Sequence, residues 1–347
     1  MIIKSIAIAL VLCGIVLGQT KNFIPVEGAN LKAKFDSAIS AGKANAPQGR
    51  FWVGYQFEAR PGVAIDYEVV DNAGGIYMSM DGQSIMFDQR HETRELGLFL
   101  LYDEQREQFI RAEVYNLRRQ REYSNYPVYW AGRIGNEESL NYLKSIVESP
   151  APEMNRLSER AMFAIAVHDD ARVDAMLIEM IRRPIAEPAR SRAIYWLGNT
   201  PETQTKNALF TELVRNTQES SEVRNQAMSA LAMSRSAATL PLFQNLFETM
   251  TTRELKRRAL TGIARNDNAA AAATYLIRVA EADKEIEIQK QAVVAIGKLP
   301  KDEAVPILIR TARTHPKMAV RKVAIQMLGQ IGDERAIAFF RELLSKD

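Results

Sequence analysis

The sequence is poor in the side chains that form disulfides and bind soft metals. Among 347 residues there is one cysteine, Cys13, and there are three histidines. A disulfide needs two cysteines, so no disulfide framework can form within the chain, and a zinc or iron–sulfur site would lack ligands. The fold must therefore be stabilised by burial of apolar side chains.

The sequence also lacks an excess of charge of either sign. Its 45 lysines and arginines and 42 aspartates and glutamates leave a formal net charge of +3, and they are spread along the chain. No block is basic enough to favour a phosphate backbone, so a nucleic-acid partner is not predicted. The 47% of hydrophobic residues excludes disorder as the main state and supplies a large core.

The N-terminus carries the pattern of a secretory signal peptide. Lys4 precedes an apolar run from Ile6 to Leu17, and the chain turns polar after Gly18. This pattern predicts a signal peptide over residues 1–18, cleaved after Gly18, and a periplasmic or extracellular protein without a membrane span after cleavage. Two alternatives stay open, namely an uncleaved anchor and lipid modification of Cys13.

An internal repeat is the main signal in the rest of the chain. Six alanines share one context at spacings of 32 to 34 residues: Ala161, Ala193, Ala227, Ala259, Ala292 and Ala324. An apolar residue stands four positions before each alanine, an aliphatic residue four positions after it, and glycine or alanine five positions after it. The alanine, the residue after it, and the residues four positions before and after it lie on one stripe of a helix, so each block predicts a helix that buries this stripe.

A second amphipathic helix follows each block, as at Glu303–Arg313 and Glu334–Leu344. A seventh, degenerate unit is predicted before the six, because Gly132–Asn136 aligns with Gly329–Asp333 and puts Pro127 at the alanine position. An atypical terminal repeat is expected where a stack ends or meets another domain. Residues 104–347 are thus predicted to form about seven helix pairs.

The repeat pattern is that of Val320–Gly329, which reads Val-Arg-x-x-Ala-x-x-x-Leu-Gly. A helix pair of this kind every 32 to 34 residues resembles the short HEAT repeats of the phycobilisome-lyase-like type, over about residues 107–347. The resemblance implies an α-solenoid, a fold that mostly presents an extended surface to another protein. The family name does not imply lyase activity here.

The segment before the repeats has the alternation of β-strands. Strands are predicted at Phe51–Phe57, Val63–Val70, Ile76–Met80, Ser84–Phe87 and Leu96–Tyr102, with a hairpin turn at Asp81-Gly82. We therefore expect a small antiparallel β domain over residues 50–103, with a first solenoid helix beginning near Glu104. Residues 19–49 are predicted to be a linker, with Leu31–Ile39 as a candidate short helix. The fold class is then α+β, predominantly α.

Catalytic motifs are weak. The segment His91–Glu95 begins like the His-Glu-x-x-His motif of zinc proteases, but Glu95 stands where the second histidine would be. The run His168-Asp169-Asp170 falls at a turn between helices, where we predict a helix cap in preference to a cation site. No catalytic, cofactor-binding or metal site is predicted.

Aromatic and basic residues suggest a surface for a protein or peptide partner. Two positions after the reference residue stand Tyr129, Phe163 and Tyr195 in the first three units, and Arg160 and Arg192 lie next to the alanines. Such a ladder has a composition typical of binding hot spots. The alternative is that the aromatic residues are buried against the β domain.

A second basic column stands three positions before the alanines. It comprises Arg190, Arg224, Lys256 and Arg321. These residues are predicted to pair with neighbouring repeats and helix ends, more often than with an acidic partner.

The sequence leaves two functional classes open. The first is an exported, non-enzymatic scaffold or adaptor that binds an envelope or secreted protein through the solenoid face. The second is an enzyme or cofactor-handling protein related to the chromophore-lyase lineage. The lack of a convergent set of acid, base and nucleophile favours the first class.

Overall fold

The computed structural model describes residues 23–65, 76–80, 83–87, 93–119, 121–149, 156–183, 185–201 and 203–345. The chain divides into two compact units. The first contains the described residues within Met1–Ser149 and Asn155–Asp170, and the second contains those within Ala171–Asp347. The predicted signal peptide, Cys13, His91 and the turn at Asp81-Gly82 lie outside the described residues.

The strands belong to the first unit and form two sheets. In the described ranges they are β1 (Ile24–Pro25), β2 (Arg50–Glu58), β3 (Val63–Ile65), β4 (Ile76–Met80), β5 (Gln83–Phe87), β6 (Glu95–Asp103), β7 (Gln108–Asn116) and β8 (Val128–Arg133). The larger sheet has the order β1-β8-β2-β6-β7, and the smaller one has the order β3-β5-β4. The larger sheet is mixed, because β8 runs parallel to both β1 and β2. The prediction of a purely antiparallel domain is therefore wrong for this sheet.

The helix predicted near Glu104 is also wrong, because the chain continues as β7 and β8. Ala112 and Val114 of β7 face the core, while Arg111, Glu113 and Tyr115 lie on the other face of the sheet. This alternation fits a strand that pairs with β6. Residues 104–135, which the repeat pattern places in the solenoid, thus complete the sheet instead.

Both faces of β2 are buried, although alternation predicts a half-buried strand. On one face, Phe35 of helix α1 (Leu31–Asn45) stacks near Tyr55, and Gly42 of α1 lets the Phe51 ring approach closely. On the other face, Trp52 forms a hydrophobic cluster with Phe99, Leu101 and Val128. The side chains of Phe23, Tyr123 and Trp130 pack against this cluster. Residues that precede β2 and residues that follow β6 in the sequence therefore complete the core.

Among the described residues, three α-helices lie in the first unit and the others in the second. Those of the first unit are α1, α2 (Asn136–Val147) and α3 (Arg156–Val167). The described helices of the second unit are α4 (Arg172–Arg182), α5 (Glu187–Gly198), α6 (Gln204–Arg215), α7 (Ser221–Leu231), α8 (Leu240–Thr249), α9 (Arg253–Ala264), α10 (Ala269–Ala282), α11 (Ile286–Ile296), α12 (Lys301–Thr314), α13 (Met318–Ile331) and α14 (Glu334–Leu344).

The predicted register of the repeats is confirmed. All six reference alanines are buried on α3, α5, α7, α9, α11 and α13, and so are the aliphatic residues four positions later. In the second unit, α5, α7, α9, α11 and α13 pack closely against one another, and we call them the inner helices. The helices α4, α6, α8, α10, α12 and α14 cover one side of this layer and touch one another little; we call them the outer helices.

The small residue five positions after the alanine permits the close packing of the inner helices. A Cβ atom added to Gly198 on α5 would lie 2.8 Å from the Cβ of Ala230 on α7. One added to Gly297 would lie 3.0 Å from the sulfur of Met327 on α13. The glycines thus set the distance between successive repeats.

Of the predicted seventh unit, the second helix occurs in the structure and the first helix does not. Pro127 precedes the strand β8, not a helix, because proline has no N–H for a helix interior and Val128–Trp130 pairs with β2 and β1. The second helix of this unit does occur as α2, which begins at Asn136 as α14 begins at Glu334. The fold class is that predicted, an α-solenoid of HEAT-like helix pairs with a small N-terminal β region.

Candidate interaction surface

The structure does not place the five predicted binding residues on one surface. Tyr129 lies on β8 and is 2% exposed, its hydroxyl donating to the carbonyl of Ala41 at 3.2 Å. Phe163 on α3 is fully buried. Arg160 is 2% exposed and lies 3.6 Å from the carboxylate of Glu113 on β7. These three residues are buried in the first unit, which for the two aromatic residues is the alternative that the sequence left open.

Tyr195 and Arg192 have a different environment, on the open side of α5. Both are half-buried and line a pocket of about 410 Å³ between α5 and α7, together with Glu187, Pro188, Ser191, Glu222 and Gln226. Burial raises the pKa of the Tyr195 phenol, so it stays neutral and can donate a hydrogen bond. The hydroxyl oxygen of Ser191 is buried and makes no hydrogen bond to any described residue.

The basic column three positions before the alanines caps the outer helices. Nε of Arg190 donates to the carbonyl of Ile181 at 2.8 Å, and Nε of Arg224 donates to that of Val214 at 2.9 Å. Arg321 donates to the carbonyl of His315 at 3.2 Å, just after α12. These carbonyls lie at the ends of α4, α6 and α12, where the last turn leaves acceptors unsatisfied. The predicted pairing with helix ends is therefore confirmed for these residues.

The arginine pair on α9 extends the open surface of the inner helices. Arg257 binds Glu254 through two nitrogens, at 2.9 Å and 2.6 Å, and Nε of Arg258 donates to the same carboxylate at 2.7 Å. Arg258 also donates to the hydroxyl of Ser229 on α7. These arginines lower the pKa of the Glu254 carboxyl, which therefore stays charged.

A buried polar network in the first unit has no counterpart among the sequence motifs. The hydroxyl of Ser139 on α2 lies 2.9 Å from that of Tyr55 and 2.8 Å from Nε2 of His168, and all three side chains are buried. Nδ1 of His168 lies 2.6 Å from the carbonyl oxygen of Ala164, which can only accept. Nδ1 therefore carries the proton, Nε2 accepts from Ser139, and Ser139 accepts from Tyr55.

This network is structural in spite of its serine and histidine. Burial lowers the pKa of His168 to about 4, so the imidazole is neutral, and the Phe57 ring stacks on it at 4.1 Å. In enzymes, a serine hydroxyl that donates a hydrogen bond to a histidine can act as a nucleophile. The Ser139 hydroxyl is fully buried, so a substrate cannot reach it. The run His168-Asp169-Asp170 lies directly before Ala171 and helix α4, which begins at Arg172, and the cap predicted there stays a prediction.

A cavity of about 860 Å³ lies in the first unit. It is lined by Phe23, Ile24, Asn45, Pro47, Arg121, Glu122, Tyr123, Asn125, Tyr126, Pro127, Val128 and Tyr129. The ring of Tyr129 also packs against Phe51, with the ring centroids 5.5 Å apart. The cavity thus belongs to the segment between β7 and β8, for which the repeat pattern predicts helices.

Two further observations concern the described residues alone. Within them, no group of three or more His, Cys, Asp or Glu side chains could hold a metal ion. None of their helices has both the length and the apolar character needed to cross a membrane.

The helical repeats match a known family. Residues 273–347 match the family model described as HEAT repeats, which confirms the resemblance to HEAT repeats over this part of the chain. No curated protein sequence matches the chain.

Two solved structures are similar to part of this chain at low sequence identity. Human deoxyhypusine hydroxylase in complex with glycerol is 13% identical, with a TM-score of 0.32 over 59% of this chain and 89% of the other. The CpcE–CpcF complex of phycocyanin lyase from a Nostoc species is 15% identical, with a TM-score of 0.32 over 59% of this chain and 81% of the other. Neither similarity carries an argument about the function of this chain.

Proposed function

We propose that this chain is an exported, non-enzymatic scaffold that binds another envelope or secreted protein through the open surface of the inner helices. The observation that carries the proposal is the pocket between α5 and α7, where the half-buried Tyr195 and Arg192 stand beside the unpaired hydroxyl oxygen of Ser191. A tyrosine and an arginine at a pocket edge are the residue types that most often dominate binding energy.

The repeat architecture supports the same proposal. The inner helices are held at fixed spacing by buried alanines and glycines, so their open side chains form a surface that exists before a partner arrives. A preformed surface loses little conformational entropy on binding. HEAT-like stacks mostly act as binding surfaces for other proteins.

Site-specific cross-linking tests the binding surface. A photo-reactive amino acid at Gln226, which lines the pocket, should capture one defined polypeptide, and the same group at the exposed Thr274 of the outer helix α10 should not. Arg192→Glu should lower the yield from position 226, because it reverses a charge at the pocket. Equal capture from both positions would contradict the proposal.

Export is tested separately, by N-terminal sequencing of protein isolated from its native source. The signal-like pattern over residues 1–18 predicts a mature chain that begins at or near Gln19. Protein in a soluble cytoplasmic fraction that still begins at Met1 would contradict export without affecting the binding surface.

The non-enzymatic assignment also has its own test. A chromophore-handling protein would show a visible absorbance band after purification from its native source, and a scaffold would co-purify with a polypeptide and show no such band. A band that persists through purification would favour the enzyme or cofactor-handling alternative.

A further inference from the structure

Four cations gather on the open side of α9 and at the end of α11. They are Arg257, Arg258, Arg265 and Lys298, which we call the basic cluster. Nζ of Lys298 donates to the hydroxyl of Thr261 at 3.3 Å, which brings the lysine of one repeat onto the surface of the preceding one. Burial and the positive charges of Arg265 and Arg257 lower the pKa of Lys298, so these side chains share one electrostatic environment.

One carboxylate hydrogen-bonds to the basic cluster. Glu254 binds Arg257 and Arg258, whereas Arg265 makes no side-chain ion pair with any described residue. The nearby Asp267 lies 4.0 Å from Arg235 instead. The cluster therefore carries positive charge that its own repeats do not neutralise.

Three arginines of the outer helices, unlike Arg265, each lie close to a carboxylate of a neighbouring repeat. Arg278 lies 3.2 Å from Glu248, Arg310 lies 3.4 Å from Glu281, and Arg313 is paired with Glu342 at 2.5 Å. Each of these cations has a carboxylate of a neighbouring repeat. These three cations are thus neutralised across repeats, whereas the basic cluster on the inner helices, the surface that the proposed function uses, keeps Arg265 without such a partner among the described residues.

We propose that the basic cluster binds an acidic, extended segment of the partner protein, with carboxylates at every third residue. This inference rests on the proposed function and specifies the chemistry of the partner. Guanidinium groups match carboxylates in two-point geometry. Arg257 and Arg258 already bind Glu254. The cluster therefore offers a partner the guanidinium group of Arg265 beside the ammonium group of Lys298.

The spacing of the repeats sets the spacing of the carboxylates. Packed helices lie about 8–10 Å apart, and a segment in the polyproline II conformation advances about 9 Å over three residues and returns to the same face. Two acidic side chains three residues apart can therefore meet the cations of the two repeats that carry the cluster, at α9 and at the end of α11.

A labelled peptide tests the inference by fluorescence anisotropy with the full chain. The probe is a twelve-residue peptide of four Glu-Pro-Ser repeats, and the control peptide has Gln in place of each Glu. The chain should bind the Glu peptide at low salt, bind the Gln peptide at least about tenfold more weakly, and lose affinity for the Glu peptide as salt is added.

Charge reversal locates the site. Arg265→Glu combined with Lys298→Glu should weaken binding of the Glu peptide about tenfold, a loss of about 1.4 kcal/mol. The matched control combines Lys284→Glu and Arg310→Glu, which change the net charge equally at exposed positions outside the cluster. This control should change the affinity less than about twofold, and circular dichroism should show that both variants are folded.

Three results would overturn the inference. They are equal losses in the two double variants, no preference for the Glu peptide, and tighter binding of duplex DNA or of anionic lipid vesicles than of the peptide. Each would leave the cross-linking result at Gln226 unaffected, so the failure of this inference is distinguishable from the failure of the proposed function.

Discussion

Ile296 is a buried aliphatic residue four positions after a reference alanine, and it contacts the core through its whole side chain. Ile296→Ala would leave a cavity in a stack whose repeats cannot bury their apolar stripe alone. We expect the free energy of unfolding to fall by about 2–5 kcal/mol, measured by urea denaturation.

Lys322 on α13 is the matched control for this substitution, because it is exposed on a neighbouring inner helix. Lys322→Ala should change the free energy of unfolding by less than about 0.5 kcal/mol. If the two variants lost equal stability, the register assigned to the repeats would be wrong.

His168 makes the stability of the first unit depend on pH. Its pKa is lowered from the usual 6.5 to about 4 by burial, so the unfolded chain takes up a proton at a higher pH than the folded chain does. The free energy of unfolding should therefore be highest above about pH 6.5 and should fall as the pH drops towards 4, by up to about 3 kcal/mol.

The variant His168→Gln isolates this effect, because glutamine does not titrate. The free energy of unfolding of both proteins is measured by urea denaturation at several pH values. In the difference between the two proteins, the contributions of the other titrating groups cancel. That difference should be constant above about pH 6.5 and should shift in favour of the variant between pH 6.5 and 4. A difference that does not depend on pH would show that His168 does not control it.

Gly198 and Gly329 occupy the same position of two inner helices but have different surroundings. A Cβ atom at Gly198 would meet Ala230, whereas one at Gly329 would meet nothing within 4 Å. Gly198→Ala should therefore lower the free energy of unfolding by about 1–3 kcal/mol through overpacking. Gly329→Ala should raise it by up to about 1 kcal/mol, because alanine favours the helix.

Thermal unfolding of the two alanine variants checks this pair. The melting temperature should move in opposite directions, down for Gly198→Ala and up for Gly329→Ala. An upward shift for both variants would show that helix propensity, and not the contact between successive inner helices, decides the choice of residue at this position.

The inner helices could be predicted from the sequence because their pattern is local. The apolar stripe of each helix involves residues within four positions of the alanine, and six copies reinforce one another. The strands β7 and β8 could not be predicted in this way, because the repeat pattern extends back through Pro127. The pairing of β8 with β1 and β2, which decides its conformation, joins residues far apart in the sequence.

The candidate surface could be predicted only in part, for the same reason. Tyr195 and Arg192 line a pocket because α5 and α7 are successive repeats, a relation that the periodicity contains. Phe163 and Arg160 have the same positions in their helix, but the helix packs on β7, and the sequence does not show this neighbour. The hydrogen bonds of Ser139 with Tyr55 and His168 likewise join three separate segments.

The unequal packing of the two helical layers in the second unit has a mechanical consequence. The inner helices touch one another through alanine and glycine, whereas successive outer helices touch little. A force that bends the stack should therefore widen the gaps between outer helices before it separates the inner ones. The inner layer should therefore keep its length when the stack bends. The side chains along it would keep their spacing while the curvature of the stack changes.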